Sequence, residues 1–129
     1  MTNRIRNDHA AFTLVEIMIV VAIIGLLAAL AVPGFVKARK QSQGRRIIND
    51  ARQMDAAIDQ WALEMGKSDG NTVDYTSPTG AETYLKTAWI VNDLLGNAYS
   101  IGNVGTQQVQ IAAATKTALS GVGIDWGVY

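Results

Sequence analysis

The pattern of apolar and polar positions divides the chain into three stretches. From Phe12 to Val32 nearly every position is apolar, and the one ionisable side chain is Glu16. Apolar surface on all sides, with no polar face, is what a membrane-spanning helix shows, and a bilayer core takes roughly 20 such residues. Pro33-Gly34 interrupts the run. Proline removes a backbone N–H and clashes with the carbonyl four residues back, so a kink or break is expected there. From Phe35 to Met65 apolar residues return at steps of three and four: Ile47, Ile48, Ala51, Met54, Ile58, Trp61, Ala62 and Met65. That spacing predicts one buried stripe on a second helical part, with Gly66 as its stop. Taken together, Phe12–Met65 would extend roughly 80 Å at the helical rise per residue.

Beyond Gly66 the pattern is short-range. Lys67–Gly80 is rich in turn residues and reads as a loop with an extended piece at Val73–Tyr75. Ala81–Lys86 predicts one or two helical turns. Trp89–Val91 and Leu94-Leu95 are apolar and expected to pack on the stripe. Tyr99–Ile101 reads as a strand. Gln107–Ala112 alternates at period two, so a half-buried strand is expected. Thr115–Leu119 predicts a further turn of helix, and Gly121–Tyr129 a last irregular strand. A head of about 60 residues has a thin core by itself, and packing on the Ile47–Met65 stripe would complete it. The expected fold is α+β: a long N-terminal helix against a small head with a short antiparallel sheet. The expected divisions are 1–11 (leader), 12–33 (membrane and assembly helix), 34–66 (amphipathic helix) and 67–129 (head).

Composition narrows the chemistry. The 129 residues include no Cys and one His, His9, in the leader. A disulfide-stapled head, a thiolate metal site and a Ser-His-Asp triad are therefore excluded. Asp55 and Asp59 lie one helical turn apart, but a solvated polar face explains them better than an acid–base pair. Gly102–Gly105 is too short to be a phosphate loop. Trp61, Trp89 and Trp126 read as core rather than as a platform for nucleic acid. No catalytic residues, metal or cofactor are expected. The net charge is zero but unevenly spread: eight basic residues precede Asp55, and eight acidic residues follow Arg52. Two readings fit this equally: a solvated helix with a mildly acidic head, or electrostatic complementarity between staggered copies that favours one register of assembly.

Glu16 is the exception inside the apolar run. A carboxylate at mid-membrane costs about 2.5–3.5 kcal/mol on insertion scales, so it needs a partner. Polar residues ending in Ala11, then Phe12-Thr13-Leu14-Val15-Glu16, the apolar run and Pro33 resemble the N-terminal region of type IV pilins and type II secretion pseudopilins. The resemblance covers residues 11–33, under a fifth of the chain. It departs from the family in having Ala11 where Gly is usual. The resemblance implies cleavage between Ala11 and Phe12 by a prepilin peptidase and N-methylation of Phe12. It also implies assembly through Phe12 and Glu16, whose carboxylate would meet the Phe12 amine of a neighbouring subunit. Pro33 and Gly34 would form a helix hinge. Leu95–Tyr99 is similar to a turn in major pseudopilin heads. The family's calcium site is not expected, because Asp125 is the one acidic residue after Asp93.

The function implied is a structural subunit of a secretion pseudopilus or a type IV pilus-like filament. Its partners would be copies of itself, other minor pilins or pseudopilins, the peptidase, an inner-membrane assembly platform and the lipid bilayer. Nucleic acid is not among them. The expected location is the bacterial inner membrane with the head in the periplasm, then a periplasmic or surface filament. The basic residues Lys37, Arg39, Lys40, Arg45 and Arg46 oppose this orientation under the positive-inside rule. The alternative is a secreted soluble protein, because Ala29-Leu30-Ala31 matches a conventional signal-peptide site cleaved after Ala31.

Overall fold

The computed structural model describes residues 11–129 and is α+β. Helix α1 runs over Leu14–Glu64, followed by a 3₁₀ turn at Ala81–Tyr84, strand β1 at Ser100–Ile101, strand β2 at Val109–Gln110 and helix α2 at Ala113–Ala118. Two compact units divide at Val36 and Lys37. Of the expected leader, only Ala11 falls within the described residues.

In the first unit, residues 14–36 are helical and every described side chain is exposed. The break expected at Pro33-Gly34 does not occur: Pro33 lies inside α1. A helix can carry proline where its other hydrogen bonds hold, although the carbonyl of Ala29 loses its donor.

The second unit is built on the remainder of α1. Ile47, Ala51, Met54 and Ile58 are fully buried there, with Ile48, Trp61 and Ala62 nearly so. They pack with Val73, Ala81, Tyr99, Val104, Val109, Ile111 and Leu119 from the head into one core. The expected stripe is thus the floor of the head, with one correction at its end. Met65 is exposed, because α1 has stopped at Glu64. Gly66 adopts a left-handed conformation (φ 60°). Its N–H bonds the Leu63 carbonyl, and the Lys67 N–H bonds the Ala62 carbonyl at 2.8 Å. This pair of bonds closes the last turn as a Schellman motif, which favours glycine at that point.

The sheet is small. β1 and β2 pair antiparallel, Ser100 opposite Gln110 and Ile101 opposite Val109. Isolated bridges at Thr72–Asn103 and Asn92–Ala98 extend the pairing. Tyr75 stacks on Trp89, ring centroids 5.1 Å apart. Other expectations for the head need correction. Val91, Leu94 and Leu95 are exposed, while Trp89 and Ile90 alone of that stretch reach the core. The tail after Gly121 is irregular rather than a strand, although Ile124, Trp126 and Tyr129 pack against the core. The alternation in β2 also fails at Gln108, which is buried beside Val109.

Candidate functional site

The described part of the first unit is an apolar helix whose side chains find no cover within the protein. Leu14, Leu30 and Phe35 are each at least three-quarters exposed. No buried residue lies in the most apolar stretch of α1, which is long enough to cross a membrane. Beside Gly25 and Gly34 an added Cβ would meet only open space. A solvated surface of this size is unfavourable at about 25 cal/mol per Å² of apolar area, so lipid or another protein must cover it.

The start of this helix is polar and ordered by its own side chains. Ala11 and Phe12 precede the helix and are exposed. Thr13 is the N-cap. Its Oγ1 accepts a hydrogen bond from the Glu16 N–H at 3.2 Å, and the Glu16 carboxylate accepts one from the Thr13 N–H at 2.9 Å. The Thr13 hydroxyl also donates to that carboxylate at 3.2 Å. This reciprocal arrangement is a capping box, and it satisfies two of the N–H groups that a helix start leaves open. The negative charge also suits the positive end of the helix dipole. Glu16 therefore has an internal partner that the apolar pattern did not reveal. The signal was present: Thr-x-x-Glu immediately before an apolar run. Thr13 is the residue that reasoning from the apolar run overlooked.

Pro33 and Gly34 sit together within the helix and some five turns from Glu16 at about 3.6 residues per turn. The sequence Ala29-Leu30-Ala31, the conventional cleavage match, lies inside α1 as well.

In the second unit the polar side chains join the head to the helix. Asp59 is exposed, as a solvated polar face implies, and also accepts from Gln108 Nε2 at 2.6 Å, while the half-buried Asp55 accepts from the Tyr129 hydroxyl at 3.3 Å. Asp93 is buried. Its carboxylate accepts from the backbone N–H groups of Leu95 and Asn97 and from the Thr115 hydroxyl. Asn97 in turn donates to Thr115 at 2.9 Å, which fastens the 93–97 turn to α2. Burial, with Asp50 and Asp93 nearby, pushes the Tyr99 phenol well above its ordinary range, and its hydroxyl donates to the Ile47 carbonyl. Burial raises Asp50 more than Arg46 lowers it. The Trp61 indole N–H donates to the Thr79 carbonyl at 2.9 Å, as a buried indole requires. Among the described residues no group of three or more His, Cys, Asp or Glu is placed to hold a metal ion. These contacts fasten the head to the helix.

Comparison with known proteins agrees on where the informative region lies. Residues 6–32 match the family model described as the prokaryotic N-terminal methylation motif. A type IV major fimbrial protein FimA of Dichelobacter nodosus is 36% identical over 113 residues, covering 88% of this chain and 60% of the relative. A fimbrial protein of Neisseria meningitidis is 30% identical over 99 residues, 74% of this chain and 58% of the relative. A type II secretion system core protein G of Klebsiella michiganensis is 32% identical over 59 residues, 46% of this chain and 42% of the relative. The chain spans about half the length of the curated relatives it matches. No solved structure matches.

Proposed function

We propose that this chain, which belongs to the type IV pilin and type II secretion pseudopilin family, is a structural subunit of a pilin-like filament. The observation that carries the proposal is the uncovered apolar surface of α1 between Leu14 and Phe35. In a bilayer, lipid covers it. In a filament, the same surfaces of neighbouring copies cover one another. Both states bury similar apolar area, so the transfer between them is close to balanced and a modest external input can drive it.

Processing follows from the start of the helix. A prepilin peptidase cuts between Ala11 and Phe12, and the new amine of Phe12 is methylated. The cation then stands one turn from the Glu16 carboxylate, which the Thr13 cap holds in place. A buried charge is costly alone and much less so when paired. An incoming subunit brings its Phe12 amine to Glu16 of its neighbour, and the axial register is set by that meeting. Pro33 and Gly34 form the hinge: the carbonyl of Ala29 lacks its helical donor, so local opening of the helix costs less there. The mature chain rests in the inner membrane with the head in the periplasm before assembly. Other pilins or pseudopilins and an inner-membrane platform complete the machinery.

The test is mass spectrometry of protein recovered from the membrane and from sheared filaments. A chain beginning with N-methyl-Phe12 is the expected result. A chain beginning at Val32 would instead establish secretion after conventional cleavage.

A further inference from the structure

The C-terminal tail and one face of α1 enclose a cleft that filament assembly through the apolar helix leaves without a role. Two contacts draw the tail in. Gln41 Nε2 donates to the Val122 carbonyl at 2.9 Å. Gly44 is buried under Ile124, and a Cβ at that position would collide with Ile124 Cδ1. The tail thereby forms one wall, Gly123 to Asp125, of a cleft of about 320 Å³, and α1 supplies Arg45, Asn49 and Arg52 around Ile48. Arg45 and Arg52 are two turns apart on one helix face, about 10 Å along the axis. Guanidinium groups pair with carboxylates through two parallel hydrogen bonds, and with two arginines against the one carboxylate of Asp125 the lining keeps a net positive charge that suits a further acidic side chain.

Charge along the same unit identifies the occupant. Residues 37–52 carry six basic side chains against Asp50, and residues 53–74 carry five carboxylates against Lys67. Asp55 and Asp59 bond Tyr129 and Gln108 within the unit. Glu64 accepts from the Tyr84 hydroxyl and Asp74 from the backbone N–H groups of Thr76 and Ser77, yet both carboxylates, like that of Asp69, stay exposed at the far end of the helix and in the loop after it. We infer that the Arg45–Arg52 cleft receives the Glu64–Asp69 end of a second copy of this chain, displaced along the helix axis by about 18–28 Å, the axial separation of Glu64 from Arg52 and from Arg45. The inference rests on the filament reading and adds to it a head-to-head contact with a copy farther along the axis than the one whose Phe12 amine meets Glu16, which is shifted by about one helical turn. Such contacts select register and partner more than they add strength, and salt weakens them.

The absence of cysteine from the chain makes the test direct. Full-length protein carrying Arg45→Cys and Asp69→Cys together, assembled into filaments and treated with a short bis-maleimide, should give ladders of dimers, trimers and higher species. Each single variant should stay monomeric, because its one thiol faces no second thiol across this contact. Separately, Arg45→Glu with Arg52→Glu should lower filament yield several-fold, and adding Glu64→Lys with Asp69→Lys should restore it. Normal filaments that give no ladders overturn the docking inference while leaving the filament reading intact. No filaments from the unaltered chain overturn both. If ladders are absent and the double glutamate variant loses protease protection only in vesicles of phosphatidylcholine with phosphatidylglycerol, the arginines face lipid, and the inference falls.

Discussion

One helix carries two opposite solutions to the same problem. Between Leu14 and Val36, α1 is apolar on every side, and none of that surface is buried. Between Lys37 and Glu64 it is apolar along one stripe, and the head covers that stripe. The second stretch is completed by its own chain and therefore behaves as a folded domain. The first has no cover among the described residues, so its stability depends on what surrounds it. The contrast separates function from folding: changes in the uncovered stretch should alter assembly, whereas changes in the covered stretch should alter stability.

Glu16 gives the sharpest way to break that contrast. Glu16→Leu should leave membrane insertion intact, since the span becomes more apolar, and should abolish or severely reduce filaments seen by electron microscopy. Glu16→Gln refines the result. Glutamine can also serve in a capping box, but it carries no charge to meet an amine. Loss of filaments in both variants assigns the effect to charge pairing, while normal assembly of Glu16→Gln assigns it to the cap.

In the covered stretch the largest effect is expected at Trp61. Trp61→Ala removes a ring that is 3% exposed and leaves the Thr79 carbonyl without its donor. It should cost about 3–5 kcal/mol, read as a lower unfolding midpoint of detergent-solubilised protein. Gly44→Ala should do less. The methyl group strikes the end of a flexible side chain, so overpacking costs about 1–3 kcal/mol. The gain in helix propensity returns about 1 kcal/mol. A net loss near 1 kcal/mol and earlier proteolysis of the Val122–Tyr129 tail are expected.

The smallest effect is confined to high pH. Tyr99 is held neutral in the fold above its ordinary value of 10.0, mainly by burial. The unfolded chain releases this proton first, so stability should fall as pH rises above 10. Tyr84 and Tyr129 are raised too, the first by its bond to Glu64 and the second by burial, and both add to the same trend. Tyr99→Phe should flatten the decline in unfolding midpoint between pH 10 and 11. A slope identical to that of the unaltered protein would show that Tyr99 ionises freely.

Much of the architecture was legible because it follows from local rules. The stripe from Ile47 to Ala62 was correct in every member, since the helical period alone decides which residues share a face. Gly66 is legible as a stop for a different local reason: glycine adopts the left-handed conformation that closes a helix. β1 was anticipated near Ser100, and α2 near Thr115, with small shifts in their ends. The failures came where packing overrode a local pattern. Gln108 was assigned to solvent by alternation, yet its amide is drawn in by Asp59. Val91 and Leu94 are apolar and expected in the core, yet they are exposed, and only their neighbours Trp89 and Ile90 pack against it. Proline chemistry predicts a kink or a break at Pro33, and of the two the break does not occur, because one missing hydrogen bond does not end so long a helix.

By itself, then, the sequence determined that the chain has a membrane-length apolar helix, an amphipathic continuation and a small head resting on it. Periodicity and composition act through the nearest few residues, and those are written directly in the order of the chain. Only the tertiary structure decided which polar groups close the fold: Gln108 on Asp59, Tyr129 near Asp55, Thr115 on Asp93 and the tail over Gly44. These pairs are separated by many tens of residues in most cases, and no local preference specifies them. They form because a polar group removed from water must find a partner, and the partner is whatever the folded backbone brings within reach.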